Sequence, residues 1–475
     1  MNTLRVLLCS YEAVPFYKKG GLGDVAGALP KALREVGVDA RLVMPFYDIV
    51  RETHQFDAIG SFTAAFNRRE ERVTVHEGFY SGEHVPVYFL ANKRMLANSK
   101  RRGSKSIEQY VFFSLATAML VAWLKTEKKW ISSIVHCNDW HTALVPLLLR
   151  RLGLTVPTLL TIHNLEYQGR SSLRIFPLLG ISERETRILS ENVPATQVNL
   201  LQEGILHADK VSTVSPTYAK EIVGHAALAP INDALRVRNG NGGEPGVVGI
   251  LNGIDYDVWN PKSDHFLPRF YDATSWQEGK QAVKKTLLAK LSLAERVTLC
   301  FIGRMAWQKG IDVLARSMHA LVSQDVNIIF LGMGMPAIEQ SAKRMEKAYP
   351  KNVRAVIDYD EPLAHRLYAA SDFMLIPSRY EPCGLIQMIA IRYGTLPIAS
   401  KTGGLSDSIQ NGKNGFLFKL NSKRSLVKTV KKALHIYHNE KHRYERMVVY
   451  AMRTDFSWKK SALAYKRLYK KLFVG

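Results

Sequence analysis

The sequence predicts an α/β protein of two doubly wound domains meeting across a cleft, and three observations carry that expectation. Short apolar runs ending in Gly, Asn, Asp or Ser alternate with helical periodicity, as strand-helix units stacked around a parallel sheet do. The pattern starts afresh in the second half. At 475 residues, 47% of them hydrophobic, the chain also exceeds what one core of ordinary size encloses.

In the first half the runs place strands at 4–10, 40–44, 85–90, 131–137, 158–163, 210–214 and 247–251. In the second half "VTLCFIG" (297–303), "VNIIFLG" (326–332), "VRAVIDY" (353–359), "FMLIPS" (373–378) and "LPIASK" (396–401) are strands, each followed by a helix. Between them "YDVWNPKSDHFLPRFYDATSW" (256–276) has neither periodicity and reads as a linker. The expected domains are 1–260 and 261–445, with 446–475 as a further helical segment.

Composition narrows the function classes. The 19 Pro and 32 Gly are spread along the chain, so neither disorder nor a fibrous repeat is indicated. Cysteines at 9, 137, 300 and 383 have neither metal-ligand nor disulfide-framework spacing, which fits a reducing cytoplasm. The apolar run in "MNTLRVLLCSYE" is shorter than a signal-peptide core and reads as a buried strand of an unexported protein. The longest apolar stretch, "VFFSLATAMLVAWL" (111–124), suits a buried helix rather than a membrane span. Lys plus Arg outnumber Asp plus Glu by 65 to 42, a net charge of +23, which favours an anionic ligand or partner. Much of the excess lies in "NKRMLANSKRRGSK" (92–105) and "KKSALAYKRLYKKL" (459–472). No recognition motif or interleaved aromatic array accompanies these runs. They read as solvated basic faces, with neither nucleic acid nor membrane as partner.

In doubly wound sheets ligands bind beyond the carboxyl ends of the strands, so the chemistry is expected in those loops. After the first strand come Glu12, Pro15 and Lys18-Lys19-Gly20-Gly21, then a helix with Val25, Leu29, Ala32, Leu33 and Val36 on its apolar face. Glycines at a helix start let backbone amides approach a ligand, and the helix dipole adds partial positive charge. With a lysine beside them the stretch reads as an anion site. A dinucleotide reading of Gly21-x-Gly23-x-x-Ala26 fails because such glycines follow their strand immediately.

"FIGRMAWQKGID" sets Arg304 and Lys309 around a turn, where both can converge on a diphosphate. "SRYEPCGLIQMIAIRYG" places Glu381 before Pro382, with Gly384 opening a helix; its carboxylate suits sugar hydroxyls or developing positive charge, and the amides that follow suit phosphate. "KTGGLSDSI" repeats the device with bare amides at Gly403 and Gly404. "HCNDWHTAL" (His136, Asp139, His141) and "TIHNLEYQG" (His163, Asn164) lack zinc spacing and suit polar contacts to a hydroxylated substrate. "DYD" (358–360) reads as a turn and helix cap, without metal.

In order and spacing these motifs, with "GILNGIDYDVWNP" and "DFSW" (455–458), resemble the bacterial and plant-type glycogen (starch) synthases. These are family 5 retaining glucosyltransferases of GT-B architecture, and the likeness covers nearly the whole chain. The resemblance implies transfer of glucose from a nucleotide diphosphate glucose to the non-reducing end of an α-1,4-glucan. The donor is usually ADP-glucose, with UDP-glucose as the alternative, and no cofactor or metal is needed. It further implies that Lys18, Gly20 and Gly21 face the donor, that Arg304 and Lys309 neutralise its diphosphate, and that Asp139 and His163 line the glucosyl site. Glu381 matches the active-site glutamate. Asp24, Asn252, Gly384, Leu385, Thr402, Gly403 and Gly404 complete the implied donor surroundings, and the C-terminal segment becomes a helix crossing back to the first domain with its lysines outward.

Four departures from the family pattern stand out. Lys19 replaces a threonine, Gly23 an alanine, Ile389 stands where related glucosyltransferases often carry a second glutamate, and 91–106 is short and rich in Lys and Arg. A related GT-B enzyme with another acceptor, or a non-catalytic glucan-binding protein, are the competing readings. A pure binder has no need of the Arg304 and Lys309 pair.

Overall fold

The computed structural model describes residues 3–80, 82, 85–101, 103–182, 197–224, 231–239 and 246–474. The chain divides into two compact units, Met1–Ile250 with Trp458–Gly475, and Leu251–Ser457. The expected 260/261 boundary therefore lies at 250/251. The one at 445/446 falls inside helix Lys441–Arg453, which stays with the second unit. Segment 256–276 is packed structure rather than a linker. Trp259 stacks on His365 at 4.0 Å, Asp264 Oδ2 meets His365 Nδ1 at 2.7 Å, and the Tyr393 hydroxyl donates to Asp264 at 2.6 Å. Its aromatic residues lack periodicity because they plug a core without forming a regular element.

The first unit holds β1 (Arg5–Cys9), β2 (Asp39–Pro45), β3 (Asp57–Phe66), β4 (Arg69–Tyr80), β5 (Val85–Ala91), β6 (Ile134–Asn138), β7 (Thr158–Ile162), β8 (Arg170–Ser172), β9 (Gln197–Asn199), β10 (Lys210–Thr213) and β11 (Val247–Gly249). Among the described residues its main sheet has nine strands, ordered β11-β10-β7-β6-β1-β2-β5-β4-β3. The pairings from β11 to β5 are parallel, while β3 and β4 add an antiparallel edge. Parallel strands are covered on both faces, so they read as unbroken apolar runs. In β1, Leu7 and Cys9 enter one core while Val6 and Leu8 enter the other. Helix Ser104–Glu127 is long and apolar enough to cross a membrane by composition, yet most of it is buried against the first of these cores.

The second core is covered by helices Gly21–Glu35 and Trp458–Val474. The first ends where Gly37, at φ +80°, returns its N–H to the Arg34 carbonyl at 2.9 Å, a glycine-terminated helix end. The second buries Trp458, Ala462, Tyr465, Leu468 and Tyr469, and Lys466 donates to the Val36 carbonyl. Leu463 on the same helix is 40% exposed.

The second unit holds β12 (Val297–Ile302), β13 (Val326–Leu331), β14 (Val353–Val356), β15 (Phe373–Ile376), β16 (Leu396–Ser400) and β17 (Phe416–Phe418). They form a parallel sheet ordered β14-β13-β12-β15-β16-β17. Strand order reverses between β1 and β6 in the first sheet and between β12 and β15 in the second. At such reversals the loops diverge to opposite faces and leave a crevice at the carboxyl ends.

Candidate functional site

Both crevices receive the residues singled out from the sequence. In the first unit the loop after β1 carries Glu12 and Lys18 to Gly20, and the loop after β6 carries Asp139 and His141. In the second, Arg304 and Lys309 follow β12 and Glu381 follows β15.

The anion site expected at Gly20 and Gly21 is changed by a residue given no role from the sequence. Glu12 is buried, and its Oε2 accepts from the N–H groups of Lys19 and of Gly20, the latter at 2.9 Å. A protein carboxylate thus takes the place of an outside anion on those two amides. Lys18 leans on Asp24, Nζ to Oδ1 at 2.7 Å, with both side chains partly in water. Helix packing explains two glycines nearby. A Cβ on Gly27 would lie 2.5 Å from the Val14 carbonyl oxygen, and one on Gly23 would crowd Lys18 Cγ at 3.2 Å. Around Gly21 nothing lies within 4 Å of such a position.

Asp139 closes the other side of this crevice. Its backbone sits at φ +56°, a conformation that costs a non-glycine residue energy and that tertiary contacts hold. Oδ1 accepts from the His163 N–H at 2.7 Å, and the Asn164 N–H also donates to the carboxylate. Burial pushes the Asp139 carboxyl up to about 7 despite those bonds, with the Glu12 charge adding to the rise. Glu12 is likewise raised by burial, against the pull of the Lys19 and Gly20 N–H groups. His163 Nε2 meets Asn138 Oδ1 at 2.9 Å, and burial lowers its imidazole to about 3, so it stays neutral.

The other two histidines of the motif lie in the interior. His136 spends both ring nitrogens inside the core, Nδ1 on the Tyr469 hydroxyl at 2.7 Å and Nε2 on Thr161 Oγ1 at 2.6 Å. Strand alternation turns it away from the loop that Asp139 begins. His141 is buried in a stack on Tyr11, ring centroids 3.6 Å apart.

In the second unit Lys309 Nζ lies 2.7 Å from Glu381 Oε2, and the Ser378 hydroxyl donates to the same oxygen at 2.9 Å. Their side chains are only 15% and 7% exposed, so water screens the pair little. The turn is fixed by Gly310 at φ +68°, where a Cβ would come 2.0 Å from the Pro377 carbonyl oxygen. Arg304 is exposed beside it and donates to Gln308 Oε1 at 3.4 Å. Arg379 joins the two loops with a bidentate pair to Asp312, both bonds 2.8 Å, and lies over the Trp307 ring at 4.2 Å.

Asn252 is buried beside Cys383, to which its N–H donates, and its Oδ1 has no partner. Gly384, at φ +70°, sits where any side chain is strained, and a Cβ there would displace Gln387 Oε1, 2.4 Å away; Leu385 leads into helix Ile386–Arg392. The amide expected to be bare at Gly404 already donates to the Glu381 carbonyl at 2.9 Å, and Thr402 is the buried residue before helix Gly403–Ser408. Asp360 caps its helix by accepting from the Leu363 N–H at 2.8 Å, as the "DYD" reading has it. Among the described residues no group of three His, Cys, Asp or Glu side chains is arranged to hold a metal ion.

Residues 5–237 match the family described as the starch synthase catalytic domain, and 284–452 match glycosyl transferases group 1. A glycogen synthase of Thermodesulfovibrio yellowstonii is 36% identical over 99% of this chain and 98% of its own length. The chain belongs to the glycogen and starch synthase family. Another family member, the glycogen synthase of Thermotoga maritima, is 37% identical over 98% of this chain and 99% of its own. Among solved structures, the catalytic domain of starch synthase IV from Arabidopsis thaliana, bound to ADP and acarbose, superposes with a TM-score of 0.88 at 30% identity, covering 100% of both chains. Sucrose-phosphate synthase from Thermosynechococcus elongatus shares the fold at 19% identity, TM-score 0.62, over 99% of both chains. The protein is therefore a GT-B glycosyltransferase with two Rossmann-like domains, and an enzyme of the glycogen synthase type.

Proposed function

We propose that the chain transfers glucose from ADP-glucose to the non-reducing end of an α-1,4-glucan with retention, and that the two crevices hold the residues that do so. The observation that carries this reading is the Lys309–Glu381 contact at the strand-order reversal of the second sheet. As the nucleotide diphosphate departs, negative charge grows on its oxygens and positive charge on the anomeric carbon. An ammonium already desolvated and held in place meets the first without reorganising, and Arg304 at the same turn adds a forked donor. Glu381, freed from full neutralisation of Lys309 once phosphate arrives, faces the developing positive charge of the sugar.

In the first unit Asp139 and His163 offer a hydrogen-bonding wall to sugar hydroxyls, with Asn138 orienting the histidine. Lys18 contributes charge to the donor, and Glu12 serves as the internal partner of the amides of Lys19 and Gly20. ADP in the Arabidopsis relative supports the adenine nucleotide over the uridine one. The test is incubation of the purified protein with glycogen and either ADP-glucose or UDP-glucose, following nucleotide diphosphate release and chain extension. Transfer from ADP-glucose is expected; no transfer from either donor overturns the assignment.

A further inference from the structure

A cavity of about 370 Å3 opens within the second unit, away from the loops after β12 and β15. Residues 256–274 and 452–455 wall it from two sides, and Arg392 enters from the end of helix Ile386–Arg392. Its volume is in the range of small-ligand pockets.

Three cations line it. The Arg392 guanidinium lies over the Tyr256 ring at 4.5 Å and donates to Asn260 Oδ1 at 3.1 Å and to the Met452 carbonyl at 3.3 Å, while its Nε is buried with no partner. Lys262 and Arg453 stand exposed in the wall. Among the described residues none of the three makes an ion pair. Two carboxylates line the cavity as well. Asp272 accepts from the Thr274 N–H at 2.8 Å and the Thr274 hydroxyl at 2.6 Å, and Asp455 accepts from the Ser457 N–H at 2.8 Å. Asp272 also lies within electrostatic reach of Lys262, so the lining sets three cations against two carboxylates and keeps a net positive charge.

We propose that this cavity binds a small phosphomonoester of a polyhydroxylated molecule. Two guanidinium forks and an ammonium, from three separate stretches of chain, match a group with three charged oxygens; a carboxylate would use only one fork. The remaining polar lining, Asn260 with Thr274, suits hydroxyls. Tyr256 cannot stack on an aromatic ligand from the face that Arg392 covers, which disfavours a nucleobase. Bound there, the ester ties the first segment of the second unit to its last.

Isothermal titration of the full chain with ribose 5-phosphate, ribose and inorganic phosphate tests this. Variants Lys262→Ala/Arg453→Ala and Lys309→Ala separate the cavity from the candidate donor site, with an unchanged melting temperature of the double variant and a native circular-dichroism spectrum of Lys309→Ala as the folding controls. The ester is expected to bind the parent and Lys309→Ala alike, and to bind the double variant roughly ten- to a hundredfold more weakly, as loss of charged hydrogen bonds dictates. Four results would each overturn the proposal: no ester binding in the millimolar range, equal binding by the double variant, phosphate alone binding as tightly as the ester, or loss of binding in Lys309→Ala.

Discussion

Lys309→Ala removes the cation from a pair that the fold holds at 2.7 Å with both side chains largely out of water. Breaking a fully buried pair by deleting one partner costs about 3–5 kcal/mol, because the other charge is left uncompensated. Here Lys309 keeps 15% exposure and the Ser378 hydroxyl remains on Glu381 at 2.9 Å, so the expected loss is about 2–3 kcal/mol. Glucosyl transfer should fall further than stability does, by roughly 100- to 1000-fold, the usual effect of removing one preorganised donor. Urea unfolding and initial rates on Lys309→Ala, Glu381→Gln and the double variant form a closed cycle. Stability should recover in the double variant, because no charge is then stranded, whereas activity should not. A single variant within about 0.5 kcal/mol of the parent would refute the buried-pair reasoning, and near-parental transfer would refute the leaving-group role.

Three further expectations follow from individual contacts. Asp139 has its carboxyl raised from 3.8 to about 7 by burial, so the native state keeps a proton that the unfolded chain releases; the stability this group contributes is full in acid and is lost as pH rises through about 7. Asp139→Asn should flatten that fall, worth at most about 4 kcal/mol, and identical pH profiles in urea unfolding would contradict it. Glu203 is 0% exposed with neither carboxylate oxygen hydrogen-bonded, and burial pushes it up to about 8, so Glu203→Met should raise stability above that pH by about 1–2 kcal/mol; a lower urea midpoint there would count against it. Gly310→Ala should cost more than about 2 kcal/mol and lower the melting temperature, since φ +68° and the Pro377 carbonyl 2.0 Å from the new Cβ both oppose it; an unchanged melting temperature would show that the turn relaxes freely.

The parallel strands were legible because burial on both faces writes them as apolar runs, and β1, β7 and β13 coincide with runs in the sequence. The hairpin β3 and β4 was not. Its strands are half exposed, and its turn at Asn67 and Arg68, both at positive φ, lacks the glycine that marks most tight turns. Motif residues such as Lys309 and Glu381 could be picked out, but not their contact across 72 positions of chain. Glu12 escaped for the same reason, because nothing in local spacing shows that a carboxylate at the end of one strand folds onto amides eight residues later. His136 and His141 show the converse. Within one short motif their chemistry looks alike to that of His163, and only the packing of Tyr469 and Tyr11 consigns them to the interior.

The helix Trp458–Val474 has a consequence for biosynthesis. Its Tyr465, Leu468 and Tyr469 cover one face of a sheet whose strands end at Gly249, and Tyr469 supplies the partner of His136 Nδ1. When a ribosome has finished residue 250, that face is still bare and that imidazole half satisfied, and the whole second unit must be translated before either is remedied. The second unit, Leu251–Ser457, needs no such later segment for its own sheet. Domains usually mature from the N-terminus onward during synthesis; in this chain the unit begun first is the one completed last, and the nascent protein must shelter an open hydrophobic face in the meantime.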